Sequence, residues 1–154
     1  MGYAESMKVE EFCSDNTESC LEIFDSNLGL YFDYSERDEF LYFLNIFGES
    51  DHYYIFNTEG KIVACGGYSH KDEFALLTWG MVARQIHGKG LGTTIVEYRI
   101  GKILSDGLSN FVRIDTSQHT EHFYKKMGFT TVETDKNGFG KGIDRVTMEY
   151  SHGA

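Results

Sequence analysis

Proline is missing altogether from this chain of 154 residues. Ordinary usage of about 5% would place about eight, so proline-rich linkers and collagen-like repeats are excluded. Cysteine is scarce: Cys13, Cys20 and Cys65 make an odd number with no Cys-x-x-Cys pair. A disulfide framework and a cysteine-built zinc site are therefore not expected, and a reducing compartment is. No apolar run approaches the roughly 18 residues that a membrane helix needs. The first residues lack the basic-then-apolar order of a secretory signal, because Glu5, Lys8, Glu10 and Glu11 interrupt it. These absences predict a cytoplasmic protein without a membrane partner.

Positive charge is also in short supply. There are 14 Lys+Arg against 24 Asp+Glu, a formal net charge of −10. Such a surface matches phosphate backbones poorly, so no nucleic-acid partner is expected. The deficit is local. Residues 1–60 hold 14 acids and two bases, Lys8 and Arg37, for a net −12; residues 61–154 hold 10 acids and 12 bases, for a net +2.

What is present suits a packed core: 41% of residues are hydrophobic and 15% aromatic. Met7–Phe12 reads as a short strand. Asp15 or Asn16 can cap a helix carrying Cys20, Leu21, Phe24 and Leu28 at helical spacing. A second helix is expected over Glu36–Phe47, with Phe40, Leu44 and Phe47 on one stripe. His52–Asn57, Lys61–Ser69 and Phe74–Val82 read as an antiparallel meander. A helix then runs to about Asp106 with Ile95, Val96, Ile100, Ile103 and Leu104 on one face, and Gly107 stops it. Asn110–Asp115 is a strand, and Ser117 can cap a helix that ends at Gly128. Phe129–Thr134 and Asp144–Tyr150 close the sheet across a loop containing Gly138, Gly140 and Gly142. The expected fold class is α/β: a mixed, mostly antiparallel sheet, helices on both faces, and one parallel crossover from Phe74 to Asp115. No repeat or linker divides the chain, so residues 1–154 are expected to form one domain.

The most informative stretch is Trp79-Gly-Met-Val-Ala-Arg-Gln-Ile-His-Gly-Lys-Gly-Leu-Gly92, a strand running into a glycine turn that opens a helix. The first turn of a helix has unpaired N–H groups and partial positive charge, and glycines let an anion approach them. The stretch therefore reads either as a pyrophosphate cradle aided by Lys89 or as a plain tight turn. It is neither a Walker A loop nor a dinucleotide fingerprint, since the glycines fall at 88, 90 and 92.

This stretch resembles the pyrophosphate loop of the GNAT superfamily of acyl-coenzyme A-dependent N-acetyltransferases, Arg/Gln-x-x-Gly-x-Gly/Ala, aligned here as His87-Gly88-Lys89-Gly90-Leu91-Gly92. A second landmark, Phe123-Tyr124-Lys125-Lys126-Met127-Gly128-Phe129, resembles the family's Phe-Tyr-x-x-x-Gly-Phe. Order and spacing of the two agree, and the expected elements fit a GNAT-like fold from residue 7 to 150. Departures are His87 for Arg or Gln, Arg84 for the frequent Pro, and Ser117 for the frequent Asn. With proline missing at 84, the loop is expected to be less restrained before ligand binds. Ile23–Asn27, Asp115–His119 and Gly142–Arg145 look like a bacterial subgroup.

The resemblance implies acetyl-CoA as co-substrate and no metal. It places the backbone of Met81 and Val82 on the pantetheine arm, and His87, Gly88, Lys89, Gly90, Leu91, Gly92 and Thr93, with Ser117, on the rest of the coenzyme. It makes Tyr124 the catalytic candidate, because a phenol within reach can stabilise or protonate a departing thiolate, whose conjugate acid has a pKa of about 8.5. The same Tyr124 also suits plain packing beside Phe123. Phe24, Asn27, Tyr31, Phe32 and Trp79 are the acceptor-site candidates, with core packing as the other role for Phe24 and Phe32. For the base that deprotonates the amine, Asp115, His119, Glu121, His122, Glu73 and His70 are open candidates. His119 and His122 make a poor zinc pair, since no third ligand is evident.

The leading expectation is direct acetyl transfer to a primary amine of a small acceptor. The net −12 segment would steer a cationic one, while Arg84, Lys89, Arg99 and Lys102 against Glu97 give a local +3 suited to the coenzyme. A non-catalytic acyl-CoA sensor on the same fold and an unrelated nucleotide-phosphate binder are the competing readings. The chain is expected to bind a small-molecule amine and to be capable of forming a homodimer.

Overall fold

The computed structural model describes residues 7–151. Strand β1 spans Met7–Glu11, and a 3-10 turn at Ser14–Asn16 leads into helix α1, Thr17–Ser26. The Asn16 side chain accepts the Cys13 N–H at 2.9 Å and fixes that entry. Helix α2 is Glu36–Ile46; strands β2 (His52–Thr58), β3 (Lys61–His70) and β4 (Phe74–Val82) follow, then helix α3 (Leu91–Asp106) and strand β5 (Phe111–Thr116). Helix α4 (Glu121–Lys126) and the hairpin β6 (Thr130–Gly140) and β7 (Ile143–Ser151) complete the order.

The seven strands form one sheet in the order β1-β2-β3-β4-β5-β7-β6. All neighbours are antiparallel except β4 and β5, the expected crossover. Helix α3 buries Leu91, Ile95, Val96, Ile100 and Ile103 against one sheet face, packed with Tyr54, Phe56 and Tyr124. Gly107, at φ +66, ends α3 by donating to Ile103 and Leu104 carbonyls. On the opposite face α1 and α2 bury Cys20, Phe24, Phe40 and Leu44 against Tyr53, Ile55 and Cys65. The Cys20 thiol, hydrogen-bonded to Cys65 and desolvated, is held well above the usual thiol range, which makes it an inert core group.

Three local expectations change. Phe47 falls past the end of α2 and is 45% exposed rather than part of the buried stripe. Helix α4 starts after Thr120, because the Ser117 carbonyl takes both the Thr120 and Glu121 N–H groups and spends residues 117–120 on a turn. Strand β6 runs on to Gly140, with an irregular register between Asp135 and Gly140, so the expected glycine loop is part of the hairpin. No helix of the described residues is long and apolar enough to cross a membrane.

Candidate active site

The site begins with a fault in β4. Cys65 pairs with Met81 and Gly67 with Thr78, so Trp79 and Gly80 together oppose the single residue Gly66. Trp79 takes φ +42, a left-handed conformation that costs a non-glycine residue about 1–2 kcal/mol. The Tyr53 hydroxyl donates to the Trp79 carbonyl at 2.8 Å, and the indole packs on Phe40 at 5.0 Å. Pairing of β4 with β5 stops at Leu77 and Ile114. Beyond it a cavity of about 690 Å³ opens, walled by β4, the glycine turn, the start of α3, the end of β5, and α4.

Under the bulge lies Arg99, 0% exposed. Its Nε donates to the Ile95 carbonyl and one terminal nitrogen to the Gly67 carbonyl, both at 3.2 Å, while Nη2 has no partner among the described residues. No carboxylate pairs with it among those residues. A Cβ at Gly80 would fall 2.7 Å from Nη2, and one at Gly66 would fall 3.3 Å from the guanidinium carbon. Gly80 is therefore dictated by the arginine, and Gly66 by the Gly80 Cα, 3.1 Å from its Cβ position, together with the guanidinium. The local +3 read from the sequence needs correcting, because Arg99 faces the core and the outward bases there are Arg84, Lys89 and Lys102.

Tyr124, 8% exposed, lines the cavity. Burial raises its phenol pKa, and the nearby Arg99 charge pulls it back down. At the lip of the cavity the Val82 carbonyl accepts from Asn27 Nδ2 at 3.0 Å and His87 Nε2 at 2.9 Å. Asn27 also donates to the Ile23 carbonyl at 2.9 Å. His87 is thus engaged with the strand end. Arg84 gives its N–H to Ser26 Oγ at 3.0 Å, a bond proline could not make, so that stretch is tied down rather than loosened.

Of the expected coenzyme residues, Met81, Val82, His87, Gly88, Gly90, Leu91, Gly92, Thr93 and Ser117 share the cavity wall; exposed Lys89 stands outside it. Gly88 and Gly90 adopt φ +81 and +83 with open space where a side chain would sit. No side chain caps the start of α3, leaving its first amides available to an anion. Asn27 Oδ1 and Thr78 Oγ1 are buried on this wall without partners among the described residues.

At the other end Asn27, Tyr31, Phe32 and Trp79 line the cavity, whereas Phe24 is fully buried behind them, stacked on Phe32 at 4.8 Å. Asp115 and His119 also line it; Asp115 Oδ1 accepts the Thr147 hydroxyl at 2.6 Å. Glu121 is bound to Thr131, His122 is exposed, and Glu73 and His70 lie off the wall. The residue missed by sequence reasoning is Glu36. It lines the cavity at 6% exposure and accepts the Asp33 N–H at 2.9 Å. Burial pushes its carboxyl up to about 7, with the Glu39 and Asp33 charges adding and the Asp33 amide opposing. A signal existed: Glu36, Phe40 and Leu44 share one spacing, so the buried stripe extends a turn back onto the acid.

The sequence matches the family described as acetyltransferase (GNAT) domain over residues 33–152. The chain belongs to the GNAT acetyltransferases. The ribosomal-protein-S18-alanine N-acetyltransferase of Escherichia coli is similar in structure, with TM-score 0.76, 16% identity, and 94% of this chain and 93% of that one covered. Ard1 from Thermoplasma volcanium has TM-score 0.76 at 19% identity, covering 95% and 97%. An aminoglycoside 6'-N-acetyltransferase complexed with coenzyme A has TM-score 0.70 at 14% identity, covering 94% and 96%. No curated protein matches the sequence significantly. GNAT acetyltransferases take acetyl-CoA as co-substrate, and the chain is an acyltransferase of that kind. The uncapped α3 amides and the orphaned Asn27 and Thr78 oxygens fit a ligand that carries both phosphates and amides.

Arg99→Met tests the role of the buried charge. Methionine roughly fills the arginine's length while removing the desolvation cost of its charge, so the denaturation midpoint should move little while turnover falls about 10-fold or more. Equal losses in stability and turnover would reduce Arg99 to a packing element.

Proposed function

We propose that this GNAT protein moves the acetyl group of acetyl-CoA onto the primary amine of a small, cationic acceptor. The observation that carries the reading is a single cavity that joins the α3 N-terminus, the Tyr124 phenol and the buried Glu36 carboxyl. The amides from Gly88 to Thr93 would hold the pyrophosphate, and the backbone of Met81 and Val82, with the orphaned Thr78 and Asn27 oxygens, would hold the pantetheine amides. Acetyl-CoA supplies an activated acetyl group on sulfur. Tyr124 stabilises the departing sulfur by hydrogen bonding, with the buried Arg99 charge making the phenol a better donor.

Glu36 takes the role that sequence reasoning left open. A carboxyl with a pKa of about 7 can accept a proton from an ammonium at neutral pH. Glu36 and Glu39 on this wall, with Tyr31, Phe32 and Trp79, suit a positively charged group on an apolar body. The free thiols of Cys13, Cys20 and Cys65 favour a cytoplasmic location. Homodimer formation belongs to the same reading and is read by sedimentation.

Tyr124→Phe should lower turnover about 10²-fold with little change in coenzyme affinity; unchanged turnover removes the phenol from the chemistry. In Glu36→Gln, the rise of kcat/KM through about pH 7 should disappear. Stability adds a check of sign. The folded carboxyl keeps its proton to higher pH than the unfolded one, so its contribution is full below the ordinary value and is lost as pH rises through about 7. Glu36→Gln should therefore gain Tm over the parent at about pH 8 and gain less at about pH 5; the reverse order contradicts the burial. A screen of polyamines, amino acids, aminoglycosides and peptide N-termini, read by thiol release, tests the acceptor. A cationic acceptor should show a KM that rises with ionic strength, and a salt-independent KM sinks charge steering.

A further inference from the structure

Three donor side chains meet on the sheet away from the cavity. His52 opens β2 directly opposite Tyr68 of β3, and His70 lies two residues further along the same face of β3. Asp106 is the last residue of α3, whose C-terminus crosses that face. One ligand atom from each of His52, His70 and Asp106 lies within 4.8 Å of the others, and none of the three lines the acyl-transfer cavity. We propose that His52, His70 and Asp106 form a binding site for a divalent transition metal, with zinc as its natural occupant.

The spacing is close to what coordination requires. With metal–ligand bonds of about 2.0–2.2 Å, tetrahedral donors stand roughly 3.3 Å apart. His70 Nε2 and Asp106 Oδ2 are already 3.2 Å apart. Two of the donors have outer partners that fix their orientation, as metal ligands characteristically do. Ser109 Oγ lies 3.2 Å from His70 Nδ1, so that nitrogen can carry the proton and leave Nε2 for the metal. The buried Tyr68 phenol donates to Asp106 Oδ2 at 2.7 Å. The His52 ring is held flat on Tyr68, 4.5 Å between centroids and 5° between planes. Asp51 anchors the backbone beneath by accepting the His52 N–H at 2.9 Å and the Ser69 hydroxyl at 2.7 Å.

Donor chemistry selects the ion. Two imidazoles and one carboxylate suit first-row transition ions such as zinc, cobalt, nickel or iron(II), whereas calcium and magnesium prefer oxygen sets. Side-chain exposures of 18% for His70 and 30% for Asp106 leave an entry path. Three protein ligands leave a position for water, and the bound ion would clamp the end of α3 to the start of β2 and the end of β3. The acetyl-transfer reading is independent of this site.

The test titrates zinc, and cobalt as a visible probe, into the purified full chain. We expect one equivalent bound at micromolar or tighter affinity, the absorption of four-coordinate cobalt, and a higher Tm with zinc. His70→Gln and Asp106→Asn should each weaken zinc about 100-fold and Ser109→Ala about 10-fold, while Cys13→Ser changes nothing. Imidazole NMR signals of His52 and His70 in the unaltered chain should shift on zinc addition, a readout independent of whether the variants fold. Binding below one equivalent, unshifted His52 and His70 signals, or affinity that survives His70→Gln and depends on His119 and His122 instead, would overturn the site.

Discussion

Taking a guanidinium out of water costs several kcal/mol unless its donors are met. Arg99 meets part of that demand with two carbonyls rather than with a carboxylate, leaving Nη2 without a partner among the described residues, and its neighbours must accommodate it. Gly66 and Gly80 leave the volume the guanidinium fills. The bulge at Trp79 and Gly80 lies over that volume, and the pairing of β4 with β5 ends just before it, at Leu77. The groove thus opens beside the place where one charge is stored. The aromatic cluster of Phe24, Phe32, Phe40 and Trp79 closes the opposite side and holds the strained tryptophan in place.

The same arrangement gives two acids and bases different environments at opposite ends of one cavity. Tyr124 sits with a positive charge behind it, which favours the phenolate side of its equilibrium relative to burial alone. Glu36 sits with negative neighbours and little water, which favours its protonated form. Burial raises both groups, the Glu36 carboxyl up to about 7 and the Tyr124 phenol above its ordinary value, so near neutrality the carboxyl can exchange a proton while the phenol keeps its own to donate.

Much of this was legible from residue order. The meander, the single parallel crossover, and the span of α3 with Gly107 as its stop follow from period and turn chemistry, and the glycine turn with Phe123–Phe129 marked the family. What stayed hidden depends on contacts distant in sequence. Arg99 looks like one more base on an amphipathic helix; only the sheet's two close-approaching glycines show that it turns inward. Arg84 looks like a loosened proline site until Ser26, 58 residues away, takes its N–H. Glu36 is one of three acids in the first turn of α2, separated from Asp38 and Glu39 only by the phase of the stripe behind it.

The Val82 carbonyl has a further consequence. Its oxygen serves Asn27, which ends α1, and His87, which opens the glycine turn. One atom is thus common to the two walls proposed for the acceptor and the coenzyme. Any free energy that occupancy of the turn passes through this oxygen to the opposite wall must be returned in equal amount when the opposite wall is occupied first. On the proposed assignment of the subsites, the two substrates would then be thermodynamic effectors of each other, across a distance of two hydrogen bonds and without a moving domain.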